Sequence, residues 1–323
     1  MALLTPMTLA EARGLGARYG LEVSSVQALR AGSVNSNFRL ETAGSQAGFF
    51  LRVYEEQDAA GARRELDTVS HLARLGVPTP APLELLAGGK LAEHAGKPVG
   101  VHPWVAGEIL CLARITPEIA GQLGRALARV HVCSAQLQEI PEGRFRVQDL
   151  YARLDQVDAS SDRYAADTAL IRQRLRHYTA QLEALGPLPR GLIHGDLFRD
   201  NVLWQQGELR ALLDFESASL GLFAYDLMVC VHAWCYGDAY DARLVAALFD
   251  GYAGQRALEP AEWRALPVLG ALAALRFATT RITDFDLRAA PGEAPARDYR
   301  RFLARLAALE AGALSTLIKE RSK

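Results

Sequence analysis

Apolar residues recur with two different periods along the first hundred residues of the chain. Helical spacing over residues 9–19 stops at Gly20, and a second helical stretch over 58–75 stops at Gly76. Alternating positions and short apolar runs between polar turns predict strands. We expect these strands at residues 21–29, 37–41, 49–54, 83–87 and 100–105. This part of the chain is therefore predicted to form a small antiparallel sheet accompanied by helix.

The pattern changes further along the chain, where long amphipathic helices begin. Residues 116–136, opened by Pro117, and residues 162–185 have helical spacing. Nearly everything from Phe223 onward is also predicted to be helical. Short strands interrupt this part of the chain, and we expect them at residues 192–193, 202–203 and 209–215.

The two patterns together predict an α+β fold of two domains. The first is a small antiparallel-sheet domain over residues 1–104, and the second is a larger, mainly helical domain over 105–323. The length of 323 residues fits two domains of about 150 residues each. Half of the residues are apolar, which is enough to fill two cores.

Charge and cysteine content narrow the classes of partner and compartment. The formal net charge is −1 without a long run of one sign, which argues against a nucleic-acid partner or a polybasic membrane contact. We expect no apolar run long enough to span a bilayer, and no signal peptide, so a cytoplasmic location is predicted. The cysteines lack the C-x-x-C spacing and are predicted to be buried thiols in a reducing compartment. They are Cys111, Cys133, Cys230 and Cys235.

One short segment carries the chemistry. His194, Asp196 and Asn201 form the pattern H-x-D-x-x-x-x-N, and Asp214 follows a second apolar strand. Phosphoryl transfer from a magnesium nucleotide needs a group that orients the acceptor hydroxyl and oxygen ligands for the metal. Asp196 is the candidate catalytic residue, while Asn201 and Asp214 offer hard oxygen atoms to Mg²⁺. A chance surface loop is the alternative, but the chain has only three asparagines.

With this motif the chain resembles the aminoglycoside phosphotransferase superfamily, whose members have a bilobal protein-kinase-like fold. Within it the chain is most similar to the bacterial homoserine kinases. The matching segments are residues 193–198, 200–202, 225–227 continuing to Cys230, 233–235, 275–277 and 280–281. The resemblance implies a nucleotide-binding N-terminal lobe, a C-terminal lobe with the catalytic loop and the substrate site, and ATP and Mg²⁺ as cofactors.

The resemblance also assigns roles around the motif. His194 and Asp226 are expected to support the catalytic loop, although Asp226 could equally be a helix cap. A phosphate-covering hairpin and the hinge of the fold are expected to contact the nucleotide, with connecting strands or packing in the core as the ordinary alternatives. The residues in question are Gly32, Ser33, Val34, Asn35 and Trp104. At the hinge, Pro103 has no N–H, so the adenine donor is predicted at Trp104 or Val105.

Position 52 departs from the kinase pattern. Arg52 stands where a kinase places lysine, and none of the four lysines of the chain lies on this strand. An arginine can hold phosphate oxygens with two parallel hydrogen bonds, but its planar fork is not equivalent to a lysine ammonium. Glu65, on the following helix, is predicted to pair with Arg52.

The acceptor is expected to bind to the helical part of the chain. Arg276 interrupts an apolar helix on its inward face, and a buried guanidinium needs an anionic partner. Arg276 or Arg281 could bind a substrate carboxylate, or Arg276 could form an internal salt bridge, for example with Asp284 or Asp226. Trp234 could contact the substrate or belong to the core.

These observations predict an ATP-dependent kinase for the hydroxyl group of a small metabolite, with L-homoserine as the best guess. The alternatives are a kinase for an aminoglycoside, choline or another amino alcohol, or a sugar. A nucleotide-binding pseudokinase is the alternative from a different class. The expected partner is a small-molecule substrate, without nucleic acid or membrane, and the sequence leaves open whether the protein is a monomer or a homodimer.

Overall fold

The computed structural model describes residues 4–29, 34–43, 48–137, 139–288 and 297–322. Their contacts divide the chain into two compact units. The first comprises the described residues of Met1–Ile109 together with Val202–Glu216, and the second those of Leu110–Asn201 together with Ser217–Lys323. This structural division does not test the predicted functional domains 1–104 and 105–323, which stay predictions.

The first unit contains a five-stranded antiparallel sheet in the order β1-β2-β3-β5-β4. Its elements are α1 (Leu9–Arg18), β1 (Val23–Leu29), β2 (Ser36–Thr42), β3 (Phe49–Val53), α2 (Ala59–Arg74), β4 (Ala92–His94) and β5 (Lys97–Pro103). Thr8 and Glu11 form a capping box that begins α1, and Asp58 caps α2. On the central strand β3, Arg52 lies opposite Asn37 of β2 and Gly100 of β5.

The strand predicted at 83–87 is wrong, because the chain turns there. Leu85 donates to the carbonyl of Gly89, and Gly88 donates back to Leu85. The fourth strand instead lies at Ala92–His94. The alternation of apolar residues indicated an extended segment near this position, but hydrogen bonds within the turn decided the register.

A hairpin of two short strands also belongs to the first unit. It consists of β7 (Val202–Gln205) and β8 (Glu208–Leu212), joined through Gln206 and Gly207. Both turn residues have positive φ, 53° and 81°, as a tight hairpin turn requires. Leu212 donates to the carbonyl of Pro78 at 2.6 Å, so the segment that follows β8 starts from a fixed position.

The second unit is mainly helical, as predicted. Its elements are α3 (Pro117–Cys133), α4 (Val147–Ser160), α5 (Ala165–Ala184), β6 (Arg190–Ile193), β9 (Ser219–Leu222), α6 (Phe223–Trp234), α7 (Ala242–Ala253), α8 (Pro260–Arg281), α9 (Arg300–Glu310) and α10 (Ser315–Arg321). Two of these, α4 and β9, were not predicted from the sequence. Strand β9 pairs antiparallel with β6, and this pairing holds the start of the motif segment.

Two expectations about buried segments need correction. The helical stretch Pro260–Asp286 is long and apolar enough to cross a membrane by length and composition alone, although no such run was expected. Its apolar window is 89% buried inside the protein, as in the core helix of a globular unit. Cys111 is exposed, whereas Cys133, Cys230 and Cys235 are buried free thiols as predicted.

Candidate active site

Residues 194–201, called the Asp196 loop below, close on themselves through hydrogen bonds. The backbone amide of Phe198 donates to the carbonyl of Asp196 at 2.7 Å, and the backbone amide of Asn201 donates to the carbonyl of Phe198 at 3.0 Å. The side chain of Asn201 adds a third bond, from Nδ2 to the carbonyl of Asp196 at 2.8 Å. Because a carbonyl can only accept, this bond assigns the nitrogen of the Asn201 amide and leaves Oδ1 as its acceptor atom.

A buried carboxylate supports the beginning of this loop. Asp226, fully buried in the first turn of α6, accepts from the amides of His194 at 2.7 Å and Gly195 at 2.8 Å. It also accepts from Nε2 of His131 at 3.1 Å. Burial alone would raise the pKa of Asp226, but the hydrogen bonds from His131 and Gly195 lower it overall, so the carboxylate stays ionised. This is the arrangement that the predicted support role requires, rather than a simple helix cap.

His131, which sequence reasoning missed, completes this support. Burial lowers the pKa of its imidazole, so the ring is neutral. Its Nε2 faces the carboxylate of Asp226 and its Nδ1 lies 2.7 Å from the hydroxyl of Tyr252. The network assigns the proton to Nε2 and lets the tyrosine donate to Nδ1. No local motif marks His131, since it lies on α3, far from the loop in sequence.

His194 and Trp234 hold the loop from the inside. Both side chains are fully buried. Nδ1 of His194 accepts from the amide of Asp196 at 3.3 Å, and Nε1 of Trp234 donates to the carbonyl of Leu197 at 2.9 Å. Because the single N–H donor of Trp234 is used by the loop, its indole offers no polar group to a substrate in this structure. The predicted substrate contact of Trp234 stays untested.

Arg276 forms an ion pair with Asp196 itself. Its Nη1 lies 3.2 Å from Oδ1 of Asp196, and the arginine is only 4% exposed. The guanidinium carbon lies 4.0 Å from the ring centroid of Phe145 and 3.8 Å from that of Phe277, so two aromatic rings fix its position. The salt bridge suggested with Asp284 is wrong, because Asp284 pairs with Arg153 at 2.6 Å. Asp226 is likewise occupied by the loop.

Arg281 lies five residues further along the same helix, at its C-terminal end. Its Nη1 donates to the carbonyl of Asp298 at 3.1 Å, and its guanidinium lies 4.4 Å from the ring centroid of Phe302. Unlike Arg276, it therefore makes no ion pair within the described residues.

A second group of charged residues lies in the first unit and is called the Arg52 cluster: Arg52, Glu65, Asp214 and Glu216. Nη1 of Arg52 lies 3.0 Å from Oδ1 of Asp214 and 3.6 Å from Oε1 of Glu65. Nε of Arg52 also points at Oδ1 of Asn37, at 3.4 Å. The predicted pairing of Arg52 with Glu65 is confirmed. Asp214 has a positive φ of 64°, a backbone conformation that residues other than glycine seldom adopt.

The Arg52 cluster carries more negative than positive charge. Burial, followed by the charges of Asp214 and Glu216, raises the pKa of Glu65 to about 7, while Arg52 opposes the shift. For Arg52, burial alone would lower the pKa, but Asp214 and Glu65 outweigh it and raise the pKa above its ordinary value. Three carboxylates around one guanidinium leave a surplus of negative charge that a bound cation would offset.

Glu216 was not predicted as a site residue. Its Oε2 accepts from Nδ2 of Asn35 at 3.1 Å. Oδ1 of Asn35 in turn accepts from the amide of Glu55 at 3.1 Å. Its position in the sequence could have indicated this role, because Glu216 lies two residues after Asp214 and both residues follow strand β8. Among the predicted nucleotide-binding residues, Gly32 and Ser33 lie outside the described residues, and for Val34 no contact bears on the prediction.

At the predicted hinge, the backbone N–H of Trp104 is already used. It donates to the carbonyl of Gly48 at 2.9 Å, and the guanidinium of Arg39 lies 4.7 Å from the Trp104 ring centroid. Of the two predicted adenine donors, Val105 is the one that this bond leaves available.

The donor atoms of the motif suit magnesium. Within the described ranges, no group of three or more His, Cys, Asp or Glu side chains is placed to hold a metal ion. Mg²⁺ keeps several waters and substrate phosphate oxygens and needs only one or two protein ligands. Oδ1 of Asn201 and the carboxylate of Asp214, which is 31% exposed, are each hard oxygen donors of the kind that Mg²⁺ prefers. Their joint use as metal ligands stays a prediction.

Comparison with known proteins places these features in a family. The sequence profile of the phosphotransferase enzyme family matches residues 25–266. A homoserine kinase of Azorhizobium caulinodans is 33% identical and one of Methylocella silvestris 34% identical, each alignment covering 88% of both chains.

A solved structure supports the same conclusion for the fold. The amicoumacin kinase hAmiN, in complex with AMP-PNP and Ca²⁺, is 18% identical and matches with a TM-score of 0.70 over 95% of this chain and 93% of its own. This likeness confirms the predicted protein-kinase-like fold. On the profile match and the two relatives, the chain belongs to the phosphotransferase enzyme family.

Proposed function

We propose that this protein is a kinase that transfers the γ-phosphoryl group of ATP to the hydroxyl of L-homoserine. The observation that carries the proposal is the alignment with two homoserine kinases along most of both chains. The Asp196 loop supports the kinase chemistry, because its backbone and side-chain bonds hold Asp196 and Asn201 in one rigid turn.

In this proposal Asp196 orients the acceptor. Its carboxylate, 31% exposed, accepts a hydrogen bond from the acceptor hydroxyl and turns the oxygen lone pair towards the phosphorus. Arg276 is a positioning residue that acts through Asp196: the ion pair and the two flanking rings keep the carboxylate in one orientation. His194, Asp226 and Trp234 support the backbone beneath it.

ATP and magnesium belong to the proposal as cofactors. Asn201 and Asp214 would hold Mg²⁺, which neutralises negative charge on the phosphates when it is bound. Arg52, kept in place by Glu65 and Asp214, would steady the phosphates. The hairpin residues Gly32, Ser33, Val34 and Asn35 would cover them. Trp104 would line the hinge, with the backbone of Val105 available to adenine.

The wider assignments remain proposals as well. We propose a nucleotide-binding lobe over residues 1–104 and a lobe with the catalytic loop and substrate site over 105–323. We also propose that the protein is cytoplasmic and is a monomer or a homodimer. The near-neutral net charge supports the absence of nucleic-acid and membrane partners.

The proposal is tested with purified protein, MgATP and a panel of hydroxyl compounds. The panel contains L-homoserine, choline, an aminoglycoside and a sugar, and a coupled assay measures ADP formation. We expect the highest kcat/KM for L-homoserine. A far higher value for another compound would contradict the substrate. No turnover of any compound, with ATP still bound, would contradict the kinase and favour the pseudokinase.

A further inference from the structure

Two arginines near the Asp196 loop share one aromatic ring. The guanidinium carbons of Arg281, at the end of α8, and Arg305, on α9, lie 4.4 Å and 4.8 Å from the ring centroid of Phe302. Arg305 is only 7% exposed. The ring of Phe302 also stacks on Phe277 at 5.0 Å, so the position of both guanidinium groups is set by a packed aromatic cluster.

Neither arginine is paired with an acid. Arg281 donates from Nη1 to the carbonyl of Asp298 at 3.1 Å, and Arg305 donates to the carbonyls of His232 at 3.0 Å and Arg301 at 2.6 Å. In the part of the chain that the structure describes, no carboxylate oxygen lies within 4.0 Å of either guanidinium group. There, Nε and Nη2 of Arg281 and Nη2 of Arg305 also make no hydrogen bond to the protein.

Other arginines close to Arg281 and Arg305 add to the positive charge at this position. Burial lowers the pKa of Arg281 to about 9, with further lowering by Arg297, Arg305 and Arg301, while Asp196 acts in the opposite direction. Burial likewise lowers the pKa of Arg305 to about 10. Removing an arginine from water without an anion is unfavourable, so this arrangement costs folding free energy in the absence of a ligand.

The arginine pair lies next to the candidate catalytic loop. Phe302 contacts the loop residue Phe198 edge to face, at 6.2 Å between centroids. Arg297 pairs with Asp200 of the same loop at 2.7 Å. An anion held by the pair would therefore lie beside the loop that carries Asp196, whose charge acts on Arg281.

We propose that Arg281 and Arg305 form a subsite for the carboxylate of the acceptor, so that the enzyme selects hydroxy acids over plain alcohols. This inference rests on the proposed kinase function and names the group by which the acceptor is recognised. A guanidinium binds a carboxylate with two parallel hydrogen bonds, and the N–H groups without protein acceptors are the donors required. The carboxylate also offsets the unpaired positive charge.

The test removes first the guanidinium group of Arg281 and then the carboxylate of the ligand. Arg281→Gln and Arg281→Lys are compared with wild type for L-homoserine and for 3-aminopropan-1-ol, which is homoserine without its carboxylate. Arg301→Gln is the matched control, since Arg301 is an exposed neighbour with the same charge. KM is measured by turnover, and Kd by calorimetry.

For L-homoserine we expect KM and Kd to rise roughly 10–100-fold in Arg281→Gln, as for the loss of a charge-assisted hydrogen-bond pair. Arg281→Lys should fall between that variant and wild type. For 3-aminopropan-1-ol the variants should equal wild type, and Arg301→Gln should leave both ligands unchanged. Without ligand, Arg281→Gln should unfold at the same temperature as wild type or a higher one, because an unpaired charge has been removed; a purely structural arginine would give the opposite result.

Other outcomes overturn the subsite. If Arg281→Gln weakens the binding of L-homoserine and of 3-aminopropan-1-ol equally, Arg281 does not bind the carboxylate. If the variant raises only the KM for MgATP, the anion at this position is a nucleotide phosphate. A protein that binds L-homoserine through Arg281 but has no kinase activity contradicts the proposed function and keeps the subsite. Turnover of L-homoserine and 3-aminopropan-1-ol with equal KM contradicts the subsite and keeps the proposed kinase function.

Discussion

The Asp196 loop and the Arg52 cluster bury charge in opposite ways. Beneath the loop, the carboxylate of Asp226 receives two backbone N–H groups and the N–H of His131, so its negative charge is met by aligned donors. In the cluster, the carboxylates of Glu65, Asp214 and Glu216 act on one guanidinium, and the pKa of Glu65 is raised to about 7 by burial and by the other two acids.

The difference separates two kinds of preparation for a reaction. A loop whose polar groups are paired inside the protein is rigid before any ligand arrives, and rigid placement is what an orienting carboxylate requires. A cluster with surplus negative charge is stabilised when a cation binds beside it. In the proposed function, the first region positions the acceptor and the second receives the magnesium nucleotide.

The largest expected effect is on the support beneath the loop. Asp226→Ala leaves His131 and two backbone amides without their acceptor, and we expect the free energy of unfolding to fall by about 3–5 kcal/mol. Urea titration measures it. The matched control is Asp200→Ala, which removes an exposed ion pair with Arg297 and should cost less than about 1 kcal/mol. A similar loss of unfolding free energy in both variants would show that the buried hydrogen bonds of Asp226 do not support the loop more than an exposed ion pair does.

A pH titration should distinguish the two regions by sign. The pKa of Glu65 is raised from 4.5 to about 7 in the folded protein, so the folded state holds its proton more tightly and stability is lost as the pH rises through 7. Glu65→Gln cannot titrate, and we expect it to gain about 3 kcal/mol over wild type between about pH 4.5 and pH 8. If the difference in unfolding free energy between Glu65→Gln and wild type does not change with pH, the Arg52 cluster does not raise the pKa of Glu65.

His131 should give the opposite sign. Burial lowers its pKa from 6.5, so the unfolded chain takes up a proton first and stability is lost as the pH falls below 6.5. His131→Gln can keep both hydrogen bonds without titrating, and it should lose less stability than wild type on acidification. Unfolding free energies of both variants at several pH values provide the measurement, and equal signs for Glu65→Gln and His131→Gln would refute the contrast.

A smaller effect is expected from the backbone of the loop. Gly195 has a φ of 75°, and a Cβ there would lie 3.0 Å from the carbonyl oxygen of Ser217. Gly207 has a φ of 81° with nothing within 4 Å. Alanine at either position costs about 1–2 kcal/mol for the left-handed backbone, but only Gly195→Ala should also lower kcat, because the carbonyl of Ser217 pushes the loop. Equal kcat for both variants would show that the loop tolerates displacement.

Sequence reasoning succeeded where the chemistry is local. The spacing of Asp196 and Asn201 lies within one turn, and Asp214 follows the next hairpin, so the motif could be recognised without tertiary structure. The pairing of Arg52 with Glu65 was also predicted, from the resemblance to kinases, in which a glutamate of the following helix pairs with the lysine of this strand. Periodicity likewise predicted most helices of the second unit.

It failed where partners come from distant parts of the chain. His131 contacts Asp226 from α3, Phe145 contacts Arg276 from the segment before α4, and no pattern in either segment indicates the contact. The partner of Arg276 was misjudged for the same reason: the spacing showed an inward arginine but could not say which acid it meets. Strand β9 is four residues long and pairs with β6 far away in sequence, so its alternation was too short to recognise.

The most direct test of the central claim, that Asp196 orients the acceptor in a kinase, is the kcat of Asp196→Asn with MgATP and L-homoserine. The amide keeps the shape of the carboxylate but is a weaker acceptor for the hydroxyl hydrogen bond. We predict a kcat lower by roughly a thousandfold, in the range seen when one positioned catalytic group is lost, with Kd for MgATP within about twofold of wild type. A variant that retains full kcat would contradict the account.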